Sequence, residues 1–120
     1  FDDSPQPLTL NELKTGTFVD MNDKFCELTG CSKEELTGNT PLGMRFIGKQ
    51  ASLEVTQQLK DKGMLNGFGL DFINSDGDRV NMELYARVLS ISGIPHVLAM
   101  FIDVTERRVL EAQLRRVRES

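Results

Sequence analysis

The chain has 120 residues, 39% of them hydrophobic and 27% charged, with a formal net charge of −4. One domain of this size buries roughly two-thirds of its unfolded surface without a disulfide or metal, and the composition excludes disordered and collagen-like classes. The acidic balance argues against nucleic acid as the partner of the whole domain, and no run approaches the ~20 apolar residues of a membrane-spanning helix.

No signal peptide is visible, and the chain neither starts with methionine nor ends outside a helical pattern, so it reads as part of something longer. Residues 1–6 read as a cut lead-in, polar and proline-bearing. Pro7 to Leu13 alternates apolar and polar residues, the period of a half-buried strand. Lys14-Thr15-Gly16 is a turn, and Thr17 to Met21 reads as the returning strand of a hairpin. Asn22 predicts an N-cap for a helix over Asp23 to Thr29, with Phe25 and Leu28 on one face and Gly30 as C-cap. Ser32 with Glu35 is a capping box for a second short helix through Leu36, ended by Gly38.

Asn39 to Gly48 mixes Pro41 and Gly43 with Leu42, Met44, Phe46 and Ile47, which suggests an irregular turn covering a core. Ala51, Val55 and Leu59 recur at i+4 and predict a helix from Lys49 to Lys62, stopped at Gly63. The period then switches to two. Phe68, Leu70 and Phe72 form one parity of a strand, Asp76-Gly77 a hairpin turn, and Val80, Met82, Leu84, Ala86 and Val88 one parity of the next. Ser92 to Pro95 makes the last turn, and the final strand runs from His96 to Val104. Beyond it Leu110, Leu114 and Val117 form one stripe of an outgoing helix. Its arginines, 107, 108, 115, 116 and 118, read as a solvated face. Two strands, three helical pieces and three strands give an α+β fold with a five-stranded antiparallel sheet, helices on one face, and a C-terminal helix.

The ordered chain resembles the PAS sensor-domain family. The resemblance rests on Asn22 with Phe25, Leu28, Thr29 and Gly30; on Ser32 with Glu34, Glu35, Leu36 and Gly38; on Asp76-Gly77; and above all on Asp103-Val104-Thr105-Glu106-Arg107, which is similar to that family's Asp-(Ile/Val)-Thr-Glu-Arg signature. It implies a PAS domain over residues 7–104 and the start of a signalling helix or coiled coil over 105–120. It also implies that Phe68, Leu70, Phe72, Val80, Met82, Leu84, Val97, Ala99 and Phe101 face the helices.

The expected pocket is lined by Phe25, Met44, Phe46, Leu59, Phe68, Leu70, Phe72, Met82, Leu84, Ala99 and Phe101. With no charged inward residue, its occupant would be small and apolar, such as an acyl chain; alternatively the same side chains fill a ligand-free core. Haem is argued against because the long helix carries no histidine, and His96 reads as an exposed strand-end residue. Flavin is argued against by the lack of cysteine near Thr40, Pro41 and Leu42, by Phe72, Met82 and Phe101 where the resemblance expects polar amides, and by the absence of tryptophan. Cys26 reads as a small core residue and Cys31 as a partly covered helix-end residue. Two cysteines and one histidine suggest neither a disulfide framework nor a metal site, and reduced thiols suggest the cytoplasm.

The last strand is apolar on both sides, since Leu98, Met100 and Ile102 alternate with the inward set. A homodimer is expected to cover that face, with Leu110, Leu114 and Val117 extending it as a parallel coiled coil. Asp103, Thr105, Glu106 and Arg107 form the expected junction, with Asp103 able to reach Arg107 at i+4. Asp71, Glu83 and Tyr85 fall on the outward parity, and no serine, cysteine or histidine constellation supports catalysis, so no catalytic residue is expected. The expected role is a sensory or regulatory module of a larger cytoplasmic signalling protein of the histidine kinase or diguanylate cyclase type, without direct membrane contact. The alternative is a ligand-free PAS dimerisation and interaction module.

Overall fold

The computed structural model describes residues 5–119, excluding the side chains of residue 106 and of residues 116–119. The first four residues of the lead-in therefore lie outside the described residues, as do the side chains of Glu106 and Val117. Strands β1 (Leu8–Glu12) and β2 (Phe18–Met21) are followed by helices α1 (Asp23–Thr29), α2 (Lys33–Leu36) and α3 (Lys49–Lys62), then by strands β3 (Met64–Ile73), β4 (Arg79–Ile91) and β5 (Ile94–Asp103), and by helix α4 (Thr105–Glu119). The five strands form one sheet in the order β2-β1-β5-β4-β3, every neighbouring pair antiparallel. The final strand of the chain is thus the central strand of the sheet.

Local signals set the helices. Asn22 is fully buried and makes three bonds: its Oδ1 accepts from the Phe25 amide at 3.1 Å and the Leu8 amide at 2.9 Å, and its Nδ2 donates to the Gln6 carbonyl at 2.8 Å. It caps α1 and at the same time pins the start of β1. Gly30 closes α1 at φ 70°, a left-handed conformation that glycine adopts without a Cβ penalty. Ser32 and Glu35 make both bonds of the capping box of α2. Helix α3 spans the predicted residues and ends at Gly63.

The sheet departs from the sequence reading in four places. β3 begins at Met64, because Gly67, at φ 82°, is an extra residue between the Asn66–Tyr85 and Phe68–Leu84 pairs. This bulge puts Leu65 and Phe68 on the same face although they are three apart, and Leu65 joins the core. β5 begins at Ile94, two residues early. His96, expected to be an exposed strand-end residue, is 8% exposed: it lies in the ladder between Glu12 and Leu89, and its Nδ1 donates to the Ile94 carbonyl at 2.8 Å. In β1 the alternation is present but its polar members are the buried ones. Thr9 and Asn11 face the helices, whereas Leu8 and Leu10 share the opposite face with Met100 and Leu98.

Between sheet and helices lies a packed aromatic cluster. Phe18, Phe25, Phe46, Phe72 and Phe101 neighbour one another at ring-centroid distances of 5.4 to 6.3 Å. Burying each such side chain stabilises the fold by roughly 1.5–3 kcal/mol. Phe46 is brought there by the irregular 39–48 segment, in which Arg45 takes the left-handed conformation at φ 64°.

Candidate functional site

A cavity of about 100 Å³ lies beside the aromatic cluster, between β1 and α3 and over the middle of the sheet. Of the eleven residues expected to line a pocket, Leu59, Leu70, Leu84, Ala99 and Phe101 line this one. Phe25, Phe46, Phe72 and Met82 are buried in the closed core, and Met44 and Phe68 pack against that core half-buried. The five phenylalanines fill the space next to the cavity, and Phe101 belongs to both. Ile47, Val55 and Val97 complete its apolar wall.

Its lining is not purely apolar, a feature the hydrophobic pattern does not reveal. Thr9 and Asn11 from β1 and Ser52 and Thr56 from α3 belong to it. Thr9 is 1% exposed, and Asn11 holds the Gly16 carbonyl through Nδ2 at 3.0 Å, which ties the β1–β2 turn to the cavity edge. The expectation of a purely apolar pocket is corrected by these four residues. The missed signal is the parity of β1: threonine and asparagine alternate with two leucines, and hydrophobicity alone picks the wrong set to face inward. Cys26 and Cys31 are free thiols, half-buried against the core, and burial raises the Cys26 thiol above its ordinary range. Among the described residues no three histidines, cysteines or carboxylates gather as a metal site would require.

The exit junction is built across the sheet. Asp103 Oδ1 accepts from the Thr105 amide at 2.9 Å, turning the chain from β5 into α4. Arg107 does not pair with Asp103. Its Nη2 lies 2.6 Å from Glu83 Oε2 on β4, and its Nε lies 4.0 Å from Glu111 on its own helix. The guanidinium reaches the neighbouring strand instead of the carboxylate four residues before it. Glu83 is braced by the Tyr85 hydroxyl, which donates to Oε1 at 2.9 Å. That bond and Arg107 hold the Glu83 carboxyl below the usual carboxylate range, and the same bond raises the Tyr85 hydroxyl above the usual phenol range. Two backbone bonds run alongside, from the Val104 amide to Asn81 and from the Arg108 amide to Val104, both 3.0 Å.

On the outer face Leu98 is 38% exposed, while Met100 and Ile102 are half-buried. Leu8 and Leu10 extend this patch, which the alternation of β1 alone does not reveal. Leu110 and Leu114 are more than half exposed on α4. Among the described residues no helix is long and apolar enough to cross a membrane.

No protein-family model matches the chain, and no curated protein matches it. Solved structures do. A PAS domain of an HTR-like protein from Haloarcula marismortui is 20% identical, with a TM-score of 0.68 over 86% of this chain and 84% of that one. A PAS domain from a two-component sensor histidine kinase is 15% identical, with a TM-score of 0.70 over 85% and 87%. The LOV domain of a blue-light activated histidine kinase from Erythrobacter litoralis is 16% identical, with a TM-score of 0.67 over 83% and 96%. A sheet ordered β2-β1-β5-β4-β3 with its short helices and α3 on one face, superposing on these domains over most of its length, has the PAS fold.

Proposed function

We propose that this chain is a non-catalytic sensory or regulatory module, which relays a change in its cavity or its dimer contact through β5 and the Asp103-to-Arg107 junction to an output domain. The observation that carries this reading is the Glu83–Arg107 bridge. Glu83 faces α4 on the outer side of β4, while its neighbour Leu84 lines the cavity on the inner side. A tilt of β4 caused from within therefore moves the anchor of the outgoing helix. The likeness to domains of a sensor histidine kinase and a blue-light activated histidine kinase supports a signalling role. A histidine kinase or a diguanylate cyclase is the output class we favour, in the cytoplasm, without nucleic acid as partner and without direct membrane contact by this domain.

Leu8, Leu10, Leu98, Met100 and Ile102 suit a homodimer interface that α4 continues as a coiled coil. We take this chain not to bind flavin, since Phe72 and Met82 in the closed core and Phe101 on the cavity wall offer an isoalloxazine edge no hydrogen bond. The test is output of the parent protein carrying Arg107→Ala or Asp103→Ala. Each variant keeps its circular-dichroism spectrum and loses coupling; normal signalling from a folded variant overturns the relay. Light scattering checks the dimer, and a monomer at high concentration counts against it. The closed phenylalanine cluster favours a second reading, a ligand-free dimerisation and interaction module, in which the cavity stays without an occupant.

A further inference from the structure

We infer that the cavity between β1 and α3 takes a small, uncharged molecule with an apolar body and one hydroxyl or carbonyl group, bound with that group against Thr9, Asn11, Ser52 and Thr56. This deepens the sensory reading and rests on taking the cavity as its ligand site. Size sets the first limit. A dry apolar cavity of about 150 Å³ holds a benzene-sized molecule, and this one is about 100 Å³, so roughly four non-hydrogen atoms fit.

Chemistry sets the second. Threonine and serine hydroxyls each donate one hydrogen and accept others, and the asparagine amide does both, so these side chains satisfy a neutral hydroxyl or carbonyl in either sense. Leu70, Leu84 and Phe101, on β3, β4 and β5, offer only apolar contact. A pocket of this kind orients its guest, polar end between β1 and α3 and apolar end toward β3, β4 and β5.

Charge sets the third. Glu12 is the only ionisable residue among the described ones that line the cavity, and it belongs to the outward parity of β1, beside His96. A carboxylate would meet no cation and would lie near this like charge. An ammonium would have to leave its charge among neutral groups or stay at the Glu12 edge. An ion drawn into such a site loses its hydration without full compensation.

Amide-resolved NMR titration of the chain with four probes of about four non-hydrogen atoms each tests the inference: propan-2-ol, 2-methylpropane, acetate and isopropylammonium. Propan-2-ol is expected to give saturable shifts at Thr9, Asn11 and Thr56 and to bind at least as tightly as 2-methylpropane despite its costlier desolvation. Both ions are expected to bind at least tenfold more weakly. Thr56→Val removes a hydroxyl at nearly constant shape; it should weaken propan-2-ol by about tenfold, leave 2-methylpropane unchanged, and so put the hydrocarbon first. Tighter binding of 2-methylpropane or of either ion to the unaltered chain, or no saturable shift with any probe, overturns the inference. The relay reading is judged separately by output of the Arg107→Ala parent protein, so either can fail while the other stands.

Discussion

Phe25 and Thr9 lie on the same side of the sheet, but their surroundings differ. Around Phe25, four other phenylalanine rings meet edge to face or tilted. Around Thr9, hydroxyl and amide groups face aliphatic side chains across open space. The first region has no room for a guest and many contacts to lose. The second has room and few. Close packing and open space are therefore placed in different parts of one inner layer.

The largest way to break this comparison is Phe25→Ala. Its side chain is fully buried among those rings, and truncation leaves a cavity that rigid neighbours cannot fill. We expect a loss of about 3–5 kcal/mol in urea or thermal unfolding. Asn22→Ala comes next, at roughly 2–3 kcal/mol, because it removes a helix cap and leaves the part-buried Leu8 and Gln6 backbone groups to find new partners. In the cavity half, Ala99→Val adds volume where space exists, and it should change stability by less than about 1.5 kcal/mol. A loss as large as that of Phe25→Ala would show that the two regions are one core after all.

The smallest effect concerns the junction and not the core. The Glu83 carboxyl is depressed, so its bridge is complete above the ordinary carboxylate pKa of about 4.3 and is lost as pH falls through the lowered value. The Tyr85 hydroxyl is raised, so its contribution is complete below about 10 and is lost as pH rises through the raised value. Amide shifts in the first turn of α4 should titrate at both limits, and Glu83→Gln should abolish the acid limb. An acid limb that persists in Glu83→Gln would assign it to another group.

Much of the frame is legible in residues that act locally. Asn22, Gly30, Ser32, Glu35 and Gly63 announce helix ends through backbone chemistry that needs no distant partner. The inward parity of Leu70, Phe72, Met82 and Leu84 follows from period two. What is not legible depends on distant neighbours. Gly67 becomes a bulge only because β4 offers one residue opposite two. Arg107 finds Glu83 across 24 positions of sequence, where an i+4 rule offers Asp103. Thr9 and Asn11 face inward because β1 pairs with β5 in a register that aligns Thr9 with Ala99 and Asn11 with Val97. Thr9 and Asn11 are therefore the part of the candidate site least visible in the sequence, since polarity in a strand ordinarily signals water.

Asn22 has one more consequence. Its single amide holds the carbonyl of Gln6, the first amide of β1 and the first turn of α1. No displacement of the chain at Gln6 relative to α1 leaves all three bonds intact. Gln6, β1 and α1 are thereby tied through one side chain near the front of the described fold, as Arg107 ties α4 to β4 near its end.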